Sequence, residues 1–460
     1  MAVLNARKGS QSVRAFTGSA VLAVLAVAVG FSLLVATPQV IRDAMSFRYL
    51  IVGAILVALT LPLLTFIARG DRSLERVMLG GLLLKLASAF LRLYVAFEVY
   101  GGSADASSYD DSGRLVAREL AQGHLNPADM DSIRGGEGTE HFAYVVGWVY
   151  HIFGADLGVG FLVMSWLGFL GLLMFFKAGQ VGIPEGDHRL LAKLLFFMPS
   201  LLFWPSSIGK ESWMLFALGM AALGAAYLVG PKMRLVGLIP AAVGTLAAGW
   251  IRPHMALLFA CALSAGVVLR RSRGTPSVGR QLVVGGLAVL IVLSMGSKTQ
   301  AVFGVSALSS DGSTSLTDVA LAQTAQGGSE FEAKPVTNPI QLPMAFLSVA
   351  VRPFPFESHS IVQLLSSLEG VFLLAIFYKR RPALRSIASN AMAVTATIYS
   401  IGFVVAFSNI ANFGILARQR VQLLPFLLFL LILQRGKPLD GKLNVASVSV
   451  ASNRLPRTGR

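Results

Sequence analysis

About twelve apolar segments, each long enough to cross a bilayer, run between residues 18 and 433, and short charged motifs fall at their ends. Hydrocarbon supplies no hydrogen-bond partners, so a chain with this many long apolar runs crosses the membrane as helices. The hydropathy pattern places spans at about 18–37, 50–68, 77–98, 157–177, 190–207, 212–229, 234–249, 254–270, 281–297, 361–378, 388–408 and 415–433. The expected fold is therefore all-α: a polytopic membrane domain over 18–433, with short tails at 1–17 and 434–460.

Charge sets the direction of threading. With the N-terminus cytoplasmic, the segments on that side hold twenty-five Lys and Arg against five acids (Asp71, Glu75, Glu185, Asp187 and Asp440), while the outer segments hold twelve basic residues against seventeen acids. The positive-inside rule then assigns both termini to the cytoplasm. The net charge of +16 would point to nucleic acid in a soluble protein, but here it lies in short loops and tails between apolar runs, which excludes nucleic acid as the partner and leaves the lipid bilayer. The single cysteine, Cys261, lies inside an apolar run, so there is neither a disulfide framework nor a thiolate metal site. The basic stretch Arg7, Lys8 and Arg14 precedes an apolar run without a convincing small-residue cleavage signal, and it reads as the lead of a first span.

Two long outer loops follow from the threading, about 99–156 and 298–360. The first turns aromatic over Phe142–Phe153 and the second carries an apolar stretch over Leu342–Val351. Both are too short to span, so each reads as an interfacial or re-entrant helix. No internal repeat supports an inverted-repeat transporter.

The outer-face motifs carry the chemistry. Asp105, Tyr109, Asp110 and Asp111 open the first loop, with Asp105 and Tyr109 four apart and on one face if the segment is helical. A carboxylate there suits a general base toward a hydroxyl, or a ligand for a divalent cation such as Mg or Mn; a solvated acidic loop is the bland alternative. Lys210 and Glu211 start a helix in a tight turn, where exposed backbone donors favour an anion. Arg252-Pro253-His254 forms a similar turn, and Arg418 and Arg420 begin the last span. In Arg352-Pro353-Phe354-Pro355-Phe356-Glu357 two prolines hold the backbone extended, and the two phenylalanines suit the interface or an acyl chain. Snorkelling explains one interfacial arginine; five cations (Lys210, Arg252, Arg352, Arg418 and Arg420) on the side depleted of basic residues point to phosphate recognition. Lys85 and Arg92, seven apart in the third span, share a helix face and are expected to face the bundle interior, neutralised by a lipid phosphate or by an acid such as Glu98.

Four strings extend beyond this: Asp105-Ala-Ser-Ser-Tyr109 followed by Ala117-Arg-Glu-Leu120, the aromatic Phe142–Gly154 segment, Pro199-Ser-Leu-Leu-Phe-Trp-Pro-Ser-Ser-Ile-Gly-Lys-Glu211, and Gly414-Ile-Leu-Ala-Arg-Gln-Arg-Val-Gln-Leu-Leu-Pro425. Over about residues 80–430 the chain resembles the GT-C superfamily, the polytopic glycosyltransferases that use polyprenyl-phosphate-linked sugars, and bacterial polysaccharide polymerases are similar in span count. The resemblance implies a GT-C-like fold in the bacterial inner membrane and sugar transfer at its outer face, from the lipid-linked donor to a glycan or lipid-linked acceptor, in cell-envelope or exopolysaccharide synthesis. It implies a base at Asp105, with Asp110 or Asp111 as alternatives. The donor phosphate would be held by Lys210, Arg252, Arg352, Arg418 and Arg420. Tyr109, Glu211, His254 and Glu357 would position the substrates. The chain departs from the usual pattern at Ala106, where a second acid is common, and in lacking a large soluble C-terminal domain. A polymerase or ligase using diphosphate-linked repeats is the rival enzyme, and a transporter or flippase of an anionic lipid is the rival of another class.

Overall fold

A computed structural model describes residues 46–102, 105–124, 137–268, 338–358 and 360–434, together with 286 and 336. Among the described residues every regular element is helical and there is no β-strand.

The first described helix, α1 (Phe47–Ala68), is rich in Leu, Ile, Val and Ala, with a mean hydropathy of 2.6. It ends where Arg69 and Gly70 take left-handed φ of 51° and 86°, a stop that reverses the chain. Asp71 then accepts from the Ser73 and Leu74 amides to start α2 (Arg72–Tyr94), which a π-helical turn extends over Val95–Val99. The first outer loop forms two helices, α3 (Asp105–Ala121) and α4 (Glu137–Phe153), so the aromatic Phe142–Phe153 string is all but the first turn or so of a helix packed on α3. Asp156 caps α5 (Leu157–Gly182), and Asp187 caps α6 (His188–Phe197), which a break at Met198 separates from α7 (Pro199–Phe203). Then come α8 (Lys210–Val229), α9 (Leu238–Ile251) and α10 (Pro253–Val268). The second loop contributes α11 (Leu342–Val351), with the bounds its apolar stretch predicts. The remainder is α12 (Ile361–Arg380), α13 (Ala391–Phe407), α14 (Phe413–Gln419) and α15 (Leu424–Leu431).

The core is built on α5 and α8, which run parallel at very short range. A Cβ on Gly171 of α5 would fall 2.4 Å from the Leu215 carbonyl oxygen of α8, and one on Gly219 would fall 2.4 Å from the Gly171 carbonyl. Small residues at such a crossing let the two backbones touch, the packing that membrane helices favour. On the other side of α8, α9 runs antiparallel, with Gly244 opposite Ala221.

Among the described residues three helices are long and apolar enough to cross a membrane, α1, α5 and α8, matching the expected spans at 50–68, 157–177 and 212–229; two bent pairs, 363–389 with 391–407 and 413–422 with 424–431, raise the number to five if each pair is one span. The remaining expected spans differ for stated reasons. That at 77–98 is helical but carries Lys85 and Arg92. That at 190–207 is broken by Pro199 and Pro205. Those at 234–249 and 254–270 are shorter apolar helices. Those at 18–37 and 281–297, and both tails, lie outside the described residues, apart from residues 286 and 434.

Lys85 does not meet an acid or an open cavity. Its Nζ donates to the carbonyls of Leu201 (2.7 Å) and Leu202 (3.2 Å) near the end of α7. In a continuous helix the Leu201 carbonyl would receive the amide of residue 205, but that residue is a proline. Lys85 supplies the missing donor, and Glu369 of α12 takes the Ser200 amide at the other end of the same short helix.

Candidate functional site

The helix ends sort into two groups. Ser46 donates to Asp156 at 2.5 Å, so the start of α1 meets the start of α5. The same end holds α3, the starts of α8 and α10, and α14. The opposite end holds Arg69, Asp71 with Arg189 (3.5 Å) and Asp187 with Arg380 (2.7 Å). The four charged motifs of the sequence all fall at the first end.

There they form a chain of contacts. Asp105, the first residue of α3, accepts from Arg418 Nη1 at 2.8 Å. Arg418 Nε lies 3.8 Å from Glu211 on the first turn of α8, and Glu211 accepts from Arg252 Nη2 at 3.2 Å. Arg252 also donates to Gln419 Oε1 at 2.6 Å, which Gln422 Nε2 holds at 2.7 Å. Arg252 and Glu211 are 11% and 7% exposed, so this pair is out of water, whereas Asp105 is 59% exposed and faces outward. Lys210 donates to Thr139 of α4 (3.0 Å) and lies 5.9 Å from the Tyr109 ring. Tyr109 is held edge-on by Phe142. Burial, reinforced by the charges of Asp105 and Glu211, pushes its phenol up to about 12, so it is a neutral hydroxyl donor near pH 7 rather than a base.

The other expected residues sit differently. Asp110 accepts from Arg114 Nε (2.9 Å) and from the Tyr150 hydroxyl, which burial and the Asp110 charge keep protonated. Asp110 is thus fixed in the α3–α4 interface, and Asp111 is exposed. Of the three candidate bases, Asp105 alone reaches the cations. Arg420 is 1% exposed and donates to the Ala350 and Arg352 carbonyls (3.0 and 3.1 Å) and to Ser366 Oγ (2.7 Å), tying the end of α11 to α12. Arg352 pairs with Glu357 at 2.5 Å and lies 5.3 Å from the Phe413 ring. Burial alone would raise the Glu357 carboxyl; hydrogen bonds from Arg352 and the Phe354 amide outweigh it and hold the group below the usual range. His254 lies 6.2 Å from Phe407, centre to centre. Three of the five expected cations, Lys210, Arg252 and Arg418, therefore share one cluster, and Arg352 and Arg420 meet beside it.

Thr139 and Gln419 also belong to this neighbourhood, although no motif in the sequence points to them, and Arg92, expected in the bundle interior, adjoins it as well. Arg92 is only 8% exposed; the charges of Arg418, Glu211 and Asp105 bear on it, while Glu98 is exposed. A cation inside an apolar run was the available signal for it. Among the described residues no three His, Cys, Asp or Glu side chains come together in a way that could hold a metal, and Asp105 and Asp110 are each committed to an arginine.

Compared with protein-family models, curated proteins and solved structures, the chain matches none of them.

Proposed function

We propose that the chain is a membrane glycosyltransferase of the GT-C type that moves a sugar from a polyprenyl-phosphate-linked donor to a hydroxyl of a glycan or lipid-linked acceptor. The work takes place at the outer face of a bacterial inner membrane, with twelve spans and both termini cytoplasmic. One observation carries the reading: Lys210, Arg252 and Arg418 converge with Asp105 at one end of an apolar helical bundle, although they come from separate turns of the chain.

Each residue has a task in that reaction. The acceptor oxygen bonds to the anomeric carbon while the carbon–oxygen bond to phosphate breaks, and the bonding pair leaves with the phosphate. Asp105 takes the hydroxyl proton, its exposure leaving room for an acceptor. Arg418, Arg252 and Lys210 meet the charge that develops on the leaving phosphate, a preorganised electrostatic role. Glu211 holds the two arginines in place, and the neutral Tyr109 hydroxyl is available to donate to substrate. The polyprenyl tail lies against the apolar helices, with Phe354 and Phe356, stacked at 5.5 Å, at the interface.

The test is turnover by the purified chain, wild type beside Asp105→Ala and Lys210→Met, with a panel of polyprenyl-phosphate sugars. Transfer or donor hydrolysis that both variants lose, with folding intact, supports the reading. Lipid binding or movement without bond cleavage overturns it in favour of a transporter.

A further inference from the structure

Arg92 has surroundings that give it a task of its own. Its guanidinium lies 4.8 Å from the centre of the Phe203 ring and 5.2 Å from that of Trp204, and its Nε is buried without a hydrogen-bond partner. Aromatic faces steady a cation without cancelling its charge. A buried Nε–H left in this state is costly unless an acceptor arrives, because it has given up water for nothing equivalent.

The charges around it give the size of the missing partner. Among the described residues the cluster contains four cations, Arg92, Lys210, Arg252 and Arg418, and two carboxylates, Asp105 and Glu211. Of the neighbouring cations, Arg352 is paired with Glu357, Arg114 with Asp110, and Arg420 is spent on the Ala350 and Arg352 carbonyls and Ser366. Glu211 is shared by Arg252 and Arg418, and Asp105 is taken by Arg418. The two cations left without a carboxylate partner are Arg92, against α7, and Lys210, against α4. A sugar joined through one phosphodiester brings one negative charge and leaves a cation unmatched. A sugar joined through a diphosphate brings two, one for each.

We propose that Arg92, cradled by Phe203 and Trp204, binds the second phosphate of a diphosphate-linked lipid donor. The proposal rests on the donor-site reading above and changes its donor: the substrate is a polyprenyl-diphosphate sugar, the linkage of the rival polymerase or ligase, and Arg92 and Lys210 serve different phosphates of it.

The experiment compares two synthetic donors with the same sugar and polyprenyl chain, one joined by a phosphodiester and one by a diphosphate. Both are titrated against the full chain in nanodiscs, with turnover measured on the same samples. Wild type is expected to bind the diphosphate at least about tenfold more tightly. In Arg92→Gln that preference collapses to about twofold or less while affinity for the phosphodiester barely changes, and Arg92→Lys, which keeps the charge and loses the fork, falls between. The ratio of the two affinities is the readout, because a merely structural loss lowers both together. Equal binding of the two donors by wild type, or an equal drop for both in Arg92→Gln, overturns this proposal and leaves the glycosyltransferase reading standing. Saturable binding of neither donor overturns both.

Discussion

Removing the Glu211 carboxylate is the sharpest test of the cluster, since that one group faces two guanidiniums. With an effective dielectric of about 20, a unit charge pair at the Arg252 distance of 3.2 Å attracts by about 5 kcal/mol, and at the Arg418 distance of 3.8 Å by about 4 kcal/mol. Much of that gross attraction offsets the loss of hydration. What remains measurable is the penalty for stranding a buried partner, about 3–5 kcal/mol. Glu211→Ala is therefore expected to destabilise the chain by about that amount. Glu211→Gln, which keeps the shape and one acceptor for Arg252, should cost about half as much. Arg252→Met alone strands Glu211 less severely, because Arg418 still faces it. The double variant should then be more stable than the sum of the single losses by about 1–3 kcal/mol. The assay is a denaturant titration in mild detergent followed by tryptophan fluorescence; Trp213 and Trp250 both lie beside the pair's helices, 6.3 Å apart. Strict additivity of Glu211→Ala and Arg252→Met, or a loss below about 1 kcal/mol in Glu211→Ala, would refute the coupled buried cluster.

Other outcomes follow from the same geometry. If Asp105 is the base, Asp105→Asn should lower turnover by about 10²–10⁴-fold with donor affinity little changed; a change of less than tenfold would return the role to another group. Gly219→Val pushes side-chain atoms into the Gly171 carbonyl and should cost at least about 2 kcal/mol in the same denaturant assay, whereas a neutral result would mean that α5 and α8 do not touch as described. The Asp187 carboxyl, where burial is outweighed by the Leu190 amide and Arg380, is held below its ordinary value, so its contribution is complete above the unfolded value near pH 4 and fades as pH falls through the folded one. The stability gap between wild type and Asp187→Asn should accordingly close in acid, and a gap unchanged down to about pH 2 would contradict the pairing.

Local chemistry in the sequence foretold more of the fold than of the site. The Leu342–Val351 stretch predicts a helix that is present, and Asp105 and Tyr109 lie on the helix that their four-residue spacing needs to share a face, because both signals lie within one or two turns of chain. The same logic separates Arg418 from Arg420: two residues apart on a helix means about 200° of rotation, so one reaches Asp105 while the other turns to the α11 carbonyls. Asp110 with Arg114 is likewise an i,i+4 pair, and its removal from the list of bases was available from spacing. The partners that make the cluster are another matter. Arg252 meets Gln419 across 167 positions and Arg92 meets Trp204 across the break after α7, and no local pattern encodes which helix ends are brought together. Hydropathy predicts 190–207 as one unbroken span, although Pro199 and Pro205 mark the breaks that let Phe203 and Trp204 face Arg92.

The Lys85 contact has a consequence for how such a chain can change over generations. Pro205 removes an amide that the Leu201 carbonyl would use, and Lys85, 116 positions earlier in the chain, replaces it. Neither residue is tolerable alone: the lysine without the break is a charge stranded among apolar side chains, and the break without the lysine exposes carbonyls to a dry interior. Drift at either position is thus locked to the other. In descendants of a common ancestor the two should be kept together or lost together, with the intermediates that carry only one of them rare.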